Sequence, residues 1–321
     1  MTILSIIFPL ILVALLGFIC TKSRWLSREQ LEALSKFTFS ISIPAFLFYQ
    51  MAKAEFSEQV SIQLFAAFYL PVLTCYFIAF VINYFFYKSE QLDNDGSSAI
   101  KNSAASAVFA LSASYSNNII VGLPLLLAAL GEQVIGIIFL IVTFHSALLF
   151  ALTSIIAART TTKHDAKPFN YLGFIKQTLN NPLIISIVLG LGVNLLGITL
   201  PDSLQDSLAL IAKPAIPLAL YILGASLAFY HVRQELTFIS IACVSKLILL
   251  PTLVFLASQY IFKLEPFVVT VLVMLSACPT GVNAYLIAVT HQKHQQTVAG
   301  AIVVSTLISI ITLPLWLSFM L

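Results

Sequence analysis

Charge is what this sequence has least of. Only 9% of its 321 residues are Asp, Glu, Lys or Arg, against 60% hydrophobic, and the mean hydropathy is +1.00. A soluble domain carries nearer a quarter charged residues because its surface must face water. The shortage excludes a soluble globular fold and leaves an integral membrane protein with the lipid bilayer as its partner. Acidic side chains are missing from the depth of every long apolar run, Glu132 at the end of one run being the nearest. That removes the membrane carboxylate by which many sodium- or proton-coupled carriers hold their ion, although sodium held by carbonyls and hydroxyls stays open. Cysteine is scarce too: Cys20, Cys75, Cys243 and Cys278 all lie in apolar runs without ligand spacing, so no disulfide framework, metal or cofactor is expected. Absent as well are H-E-x-x-H, G-x-S-x-G and a phosphate-binding glycine loop, which argues against an enzyme. The net charge of +3 comes without a basic cluster dense enough for nucleic acid.

Apolar length is what the chain has in excess. Uncharged runs fall at Ile3–Cys20, Phe37–Ala52, Val60–Tyr87, Asn102–Gly131, Gln133–Ala158, Gln177–Pro201, Pro266–Thr290 and Gln295–Leu321, and Ser207–Tyr230 and Leu236–Phe262 carry one lysine each. Each is near or above the roughly 20 residues that cross hydrocarbon, except the second, which Leu31–Lys36 extends. An all-α membrane protein with ten transmembrane helices is expected. The first run lacks a basic flank before it and a small-residue cleavage site, so it is expected to be retained. Eleven of the sixteen Lys and Arg, from Lys22 to Lys293, follow odd-numbered spans, whereas only Lys53 and Lys263 lie in even-numbered loops. The positive-inside rule then places both termini outside a plasma (inner) membrane.

The charged connection 159–176 sits at the midpoint and divides the chain into residues 1–158 and 177–321, five spans each. An odd number of spans per half makes the halves an inverted repeat. Ser42-Ile43-Pro44-Ala45-Phe46-Leu47 and Ala215-Ile216-Pro217-Leu218-Ala219-Leu220 are the internal match. The fourth span of each half is interrupted by polar and helix-breaking residues, at Ser114 to Pro124 and at Ser276 to Asn283. A backbone freed in lipid must find partners in protein or in a hydrated cavity, so both breaks are expected to be buried between helices. Asn117, Asn118 and Asn283 can donate and accept; Gly122 and Gly281 permit unusual backbone; Pro124 and Pro279 suit a helix start or stop. With Ser276 and Thr280 these residues form the candidate substrate crossing, where half-helices offer unpaired N–H groups and positive dipole ends to an anion. The two breaks are spelled differently, and no residue register between them is drawn from the sequence.

The chain is similar to the auxin efflux carrier family, which joins plant PIN proteins to bacterial malonate and malate permeases. The resemblance runs along essentially the whole chain. It is carried by the context of Pro44, by Asn118 through Gly131 (NIIVGLPLLLAALG), by Asn181-Pro182, by Pro217 through Leu227 (PLALYILGASL), by Lys246 through Pro251 (KLILLP) and by Ser305 through Pro314. It implies two inverted five-helix repeats, a scaffold part and a transport part, broken helices 4 and 9 that cross, transport of an organic anion, and a homodimer. The central loop is short here, so the loop regulation of many plant members is not implied.

Few ionisable groups lie within the spans. Lys213, one turn before Pro217, reads as an anion attractor or a snorkelling side chain; Lys246, some ten residues into its span, as a charge in a cavity or a partner for backbone carbonyls. His145, in the middle of span 5, reads either as a neutral residue bonded between helices or as a proton relay. His291 and His294 read as solvated loop residues. The functional expectation is a carrier or uniporter that moves a small mono- or dicarboxylate by alternating access, without obligatory ion symport. The alternatives are an intramembrane enzyme for a lipid-linked substrate, and a channel or sensor.

Overall fold

The computed structural model describes residues 3–53, 61–86, 98–158, 182–229 and 235–321; the connection 159–176 and the basic residues Lys88 and Arg233 lie outside them. The described residues are helical, with no strand among them. Six helices are long and apolar enough to cross a membrane: α2 (Arg28–Lys53), α3 (Ile62–Phe86), α6 (Glu132–Ala157), α8 (Asp202–Leu227), α9 (Leu236–Ile261) and α12 (Gln295–Met320). Between them run α1 (Ile3–Lys22), α4 (Ser98–Ser114), α5 (Asn118–Leu130), α7 (Pro182–Leu195), α10 (Pro266–Ala277) and α11 (Ala284–His291).

Two compact units are formed, each discontinuous in sequence, and the chain passes between them within α5 and α6. The first holds residues 3–53, 119–143 and 182–229. α1, α7 and the second part of α8 are apolar on nearly all sides, so residues that allow close approach decide their packing. A methyl added to Gly17 of α1 would sit 2.0 Å from the Tyr221 carbonyl oxygen of α8, and one on Gly190 of α7 would sit 2.6 Å from the Phe48 carbonyl oxygen of α2. Polar bonds then close the ends: Asn194 Nδ2 donates to Ala52 O in the last turn of α2, and Ser42 Oγ to Ile211 O, just before α8 is interrupted at Lys213 and Pro214. Phe8, Leu12, Leu15, Leu16 and Ile19 of α1 stay exposed, the face suited to lipid.

The second unit holds residues 61–86, 98–118, 144–158 and 235–321. Its most enclosed stretches are 105–118 and 268–281, every residue of which is buried. Those are the segments that lead into the two breaks, as a backbone interrupted in hydrocarbon requires. Tyr76 of α3 binds the unit together through its hydroxyl, which donates to Ala107 O of α4 at 3.2 Å and meets Thr153 Oγ1 of α6 at 3.1 Å. Pro251 lacks an N–H, which releases the Leu247 carbonyl one turn earlier in α9. Trp316 Nε1 of α12 donates to that oxygen at 3.0 Å, and the same stretch, Ser245–Leu249, widens into a π-helical turn around Lys246. His294 is not a solvated loop residue. It is buried at the start of α12, where Nε2 faces Asn83 Oδ1 at 3.3 Å and Nδ1 lies 2.9 Å from Thr297 Oγ1 and 3.4 Å from Glu235.

Candidate functional site: a crossing of two interrupted helices

The first interruption is three residues long. α4 ends at Ser114, Tyr115 to Asn117 leave the helix, and a π-helical turn from Asn118 to Gly122 starts α5. Gly122 supplies no special geometry: at φ −65° and ψ −49° it is ordinary right-handed helix, unlike the sequence expectation for it. Pro124 is the second residue of the α-helical part of α5, directly after the π-helical turn. The second interruption begins when Cys278 turns extended, at φ −56° and ψ 149°, and ends at Asn283, from which α11 starts.

Within the second unit the two interruptions cross as a single antiparallel bridge between Ser116 and Thr280. Asn117 N donates to Pro279 O, and Gly281 N donates to Tyr115 O, both at 2.9 Å. Each break satisfies backbone groups that the other has freed, which is how neither needs lipid or bulk water as a partner. Gly281 is required by closeness: a methyl there would lie 2.4 Å from a ring carbon of Tyr115.

Neighbouring helices take up what the bridge leaves. Thr280 N donates to Ser305 Oγ of α12 at 3.0 Å, and Ser116 N to His145 Nε2 of α6 at 3.0 Å. Thr280 Oγ1 donates to Ser112 O of α4 at 2.9 Å. Lys246, fully buried, donates from Nζ to Ser276 O at 2.5 Å, placing a cation on the last turn of α10, the end its dipole makes negative. Of the two sequence readings of Lys246, the structure displays the carbonyl partner. Ser276 Oγ is held by Val273 O.

Five buried polar atoms at the crossing have no partner among the described residues: Ser116 Oγ, Asn117 Nδ2, both amide atoms of Asn118, and His145 Nδ1. Ser116, Asn117, Asn118 and His145 are each 5% exposed or less, so bulk water does not serve them. An unpaired buried polar group is unfavourable by about 1–3 kcal/mol, so five of them mark the crossing as the candidate site. Asn283 is exposed at the start of α11 and bonds the Tyr115 hydroxyl, which also meets Ser146 Oγ at 2.8 Å.

Of the residues singled out from the sequence, Asn117, Asn118, Ser276, Pro279, Thr280, Gly281, Asn283, Lys246 and His145 thus come together in one unit. Gly122, Pro124 and Lys213 belong to the other, Lys213 exposed at the interruption of α8. The sequence reading passed over Tyr115, Ser116 and Ser305. Tyr115 and Ser116 lie inside the interrupted motif, but an extended backbone pairing cannot be read from a run of helical residues. Ser305 carries no local signal at all.

A membrane transport protein is what such a crossing among apolar helices defines, and the family comparison agrees: a model described as "Membrane transport protein" matches residues 2–317. The chain belongs to that family, the auxin efflux carrier family its sequence resembles, and is an integral membrane protein rather than an enzyme. It is 27% identical over 213 residues, 66% of this chain and 67% of the other, to a Rhizobium meliloti protein named "Putative malonate transporter". It is 23% identical to an uncharacterized transporter of Escherichia coli K12, covering 97% of this chain and 95% of the relative. An uncharacterized transporter of Methanothermobacter thermautotrophicus is 22% identical, over 97% of this chain and 96% of its own.

Proposed function

We propose that the protein carries a small organic anion, a mono- or dicarboxylate, across the plasma (inner) membrane by alternating access. The observation that carries this reading is the group of unpartnered polar atoms at the crossing. Asn117 Nδ2, Asn118 Nδ2, Ser116 Oγ and His145 Nδ1 can all donate to carboxylate oxygens without bringing a counter-ion. The positive ends of α5 and α11 and the buried Lys246 add a favourable field. The name of the Rhizobium relative is consistent with this class of substrate.

The ten-span inverted repeat, with halves 1–158 and 177–321 about the connection 159–176, is supported by a register in the contacts. Pro44 and Pro217, Gly17 and Gly190, and Phe48 and Tyr221 are each separated by the same 173 positions, and the Gly17–Tyr221 approach mirrors the approach of Gly190 to Phe48. At the crossing the separation is 164 positions: Ser112 with Ser276, Tyr115 with Pro279, Ser116 with Thr280, Asn117 with Gly281. Under that exchange the bond from Asn117 to Pro279 becomes the bond from Gly281 to Tyr115. The two units correspond in this reading to a scaffold part and a transport part, both termini face outside, and two copies form a homodimer.

With a lysine instead of a carboxylate at the crossing, no sodium or proton is needed to balance the anion. An inside-negative potential supplies about 2.3 kcal/mol per charge per 100 mV, enough to drive anion export. Flux in proteoliposomes of labelled malonate, malate, lactate and indole-3-acetate, at clamped potential and with sodium and pH gradients varied separately, tests the proposal. Saturable flux with counterflow supports a carrier. Flux that never saturates points to a channel, and flux lost without one ion gradient overturns the uncoupled mechanism. Labelling of a Lys293→Cys variant from outside would overturn the topology.

A further inference from the structure

The crossing uses two different side chains for one backbone task. Thr280 N is received by the hydroxyl of Ser305, and Ser116 N by the imidazole of His145, both at 3.0 Å. A hydroxyl suffices to accept an amide proton, so the larger ring at the first break needs another reason. Its two nitrogens differ in what they can do. A backbone amide only donates, so Nε2 is the bare acceptor and the proton of the neutral ring sits on Nδ1. That Nδ1 is buried and has no partner among the described residues.

The ring is also held in orientation. Tyr115 stacks on it at 5.1 Å between centroids and 11° between planes, and Phe68 of α3 meets it edge-on at 5.7 Å. Tyr115 is itself anchored through its hydroxyl to Ser146, one residue beyond His145 on α6. A donor that is fixed in tautomer, fixed in direction and left unpaired is suited to donate to an oxygen of whatever enters.

We propose that His145 is a positioning residue of the crossing: Nε2 fixes the Ser116 backbone, and the Nδ1–H thereby aimed donates to an oxygen of the carried carboxylate. The inference rests on the anion-carrier reading and deepens it. It also removes the relay role, because a relay must load a proton on Nε2, where it would face the Ser116 N–H. The titratable or charged groups that surround the ring are Tyr115 from the break, Tyr69 from α3 at 6.3 Å, and Lys246 from α9, whose charge reaches it. None of them is a carboxylate that could hand a proton on.

Three variants of the full-length protein separate the roles. His145→Gln extends its amide to the reach of Nε2 and keeps an acceptor for Ser116, but leaves no donor at the position of Nδ1. His145→Asn places its amide nitrogen where Nδ1 was and its oxygen short of Nε2, so it keeps the donor and loses the lock, and His145→Ala keeps neither. For a carboxylate that the wild type carries, labelled malonate first, His145→Gln should raise KM about three- to tenfold with Vmax within about twofold. His145→Asn should keep KM within about threefold of wild type and lower Vmax, while His145→Ala should raise KM and lower Vmax together. Nitrogen NMR of histidine-labelled protein, with His145 assigned by difference from His145→Asn, should show the Nδ1–H tautomer unchanged from about pH 5.5 to 8. Malonate should move the Nδ1 signal and leave Nε2 in place. An Nε2–H or doubly protonated ring, or a His145→Gln variant with wild-type KM, overturns the proposal. If no carboxylate in the panel is carried, the anion reading and the donor role fall together, whereas the lock on Ser116 is still decided by the tautomer alone.

Discussion

The two breaks share a backbone design and differ in their side chains. At the second, Thr280 and Ser276 are both occupied: Thr280 Oγ1 closes on Ser112 O, and Ser276 Oγ bonds Val273 O. At the first, Ser116, Asn117 and Asn118 bury polar atoms that bond nothing among the described residues. The positions that the proposed repeat pairs, Ser116 and Thr280, state the difference most sharply. Thr280 reaches the carbonyl of Ser112, but the carbonyl that the proposed register matches to it, that of Ser276, is held by Lys246, and the hydroxyl of Ser116 is left over. The side chains of one break are thus tied to neighbouring backbone, and those of the other are not. In the proposed repeat, Lys246 is what makes the two breaks differ.

That contrast can be broken experimentally, and the largest effect is expected at the available side. Asn118→Ala, and next Asn117→Ala, should lower carboxylate flux on the order of 10- to 100-fold, since each amide gives up hydrogen bonds to a charged group worth about 1.5–3 kcal/mol. Their melting temperatures should stay close to wild type, because neither amide nitrogen has a partner among the described residues. Wild-type flux in both variants would make the first break structural like the second.

Thr280→Val should do the reverse. It strands the Ser112 carbonyl in a buried site, at a cost of about 1–3 kcal/mol, which lowers the melting temperature by some 2–4 °C for each kcal/mol. Gly281→Ala is expected to cost a similar 1–3 kcal/mol through overpacking against Tyr115, and combining it with Tyr115→Ala should cost less than the sum of the two single changes. Additive losses would show that the tight ring contact is not what requires glycine.

A subtler test concerns the asymmetry itself. Lys246→Met frees the Ser276 carbonyl, and Ser116 Oγ, the counterpart of Thr280 Oγ1, should then take it. Adding Ser116→Ala should accordingly destabilise the Lys246→Met protein by about 1 kcal/mol more than it does the wild type. Absence of that coupling would mean that the lysine does not explain the free hydroxyl. The smallest effect is expected one residue beyond Lys246, where Trp316→Phe removes the donor to Leu247 O and should cost about 1 kcal/mol of stability with flux unchanged.

The sequence by itself determined the environment and the place of the two interruptions that form the candidate site. Nearly charge-free runs of spanning length can only be membrane helices, and two polar, proline-bearing interruptions of such runs can only be tolerated where protein encloses them. Asn117, Asn118, Pro279 and Thr280 were legible for that reason, as was Lys246 as a partner for carbonyls. Only the tertiary structure decided which side chains are occupied and which are free. The pairing of Asn117 N with Pro279 O, of Ser116 N with His145, and of Thr280 with Ser305 and Ser112 joins residues 25 to 168 positions apart. Hydrogen bonds are directional and short in range, so composition and periodicity carry no trace of such pairings. The same limit hid the burial of His294, which a polar turn in the sequence had placed in water. It also explains Gly281, whose need for glycine lies in a tyrosine ring brought against it from the other half of the chain.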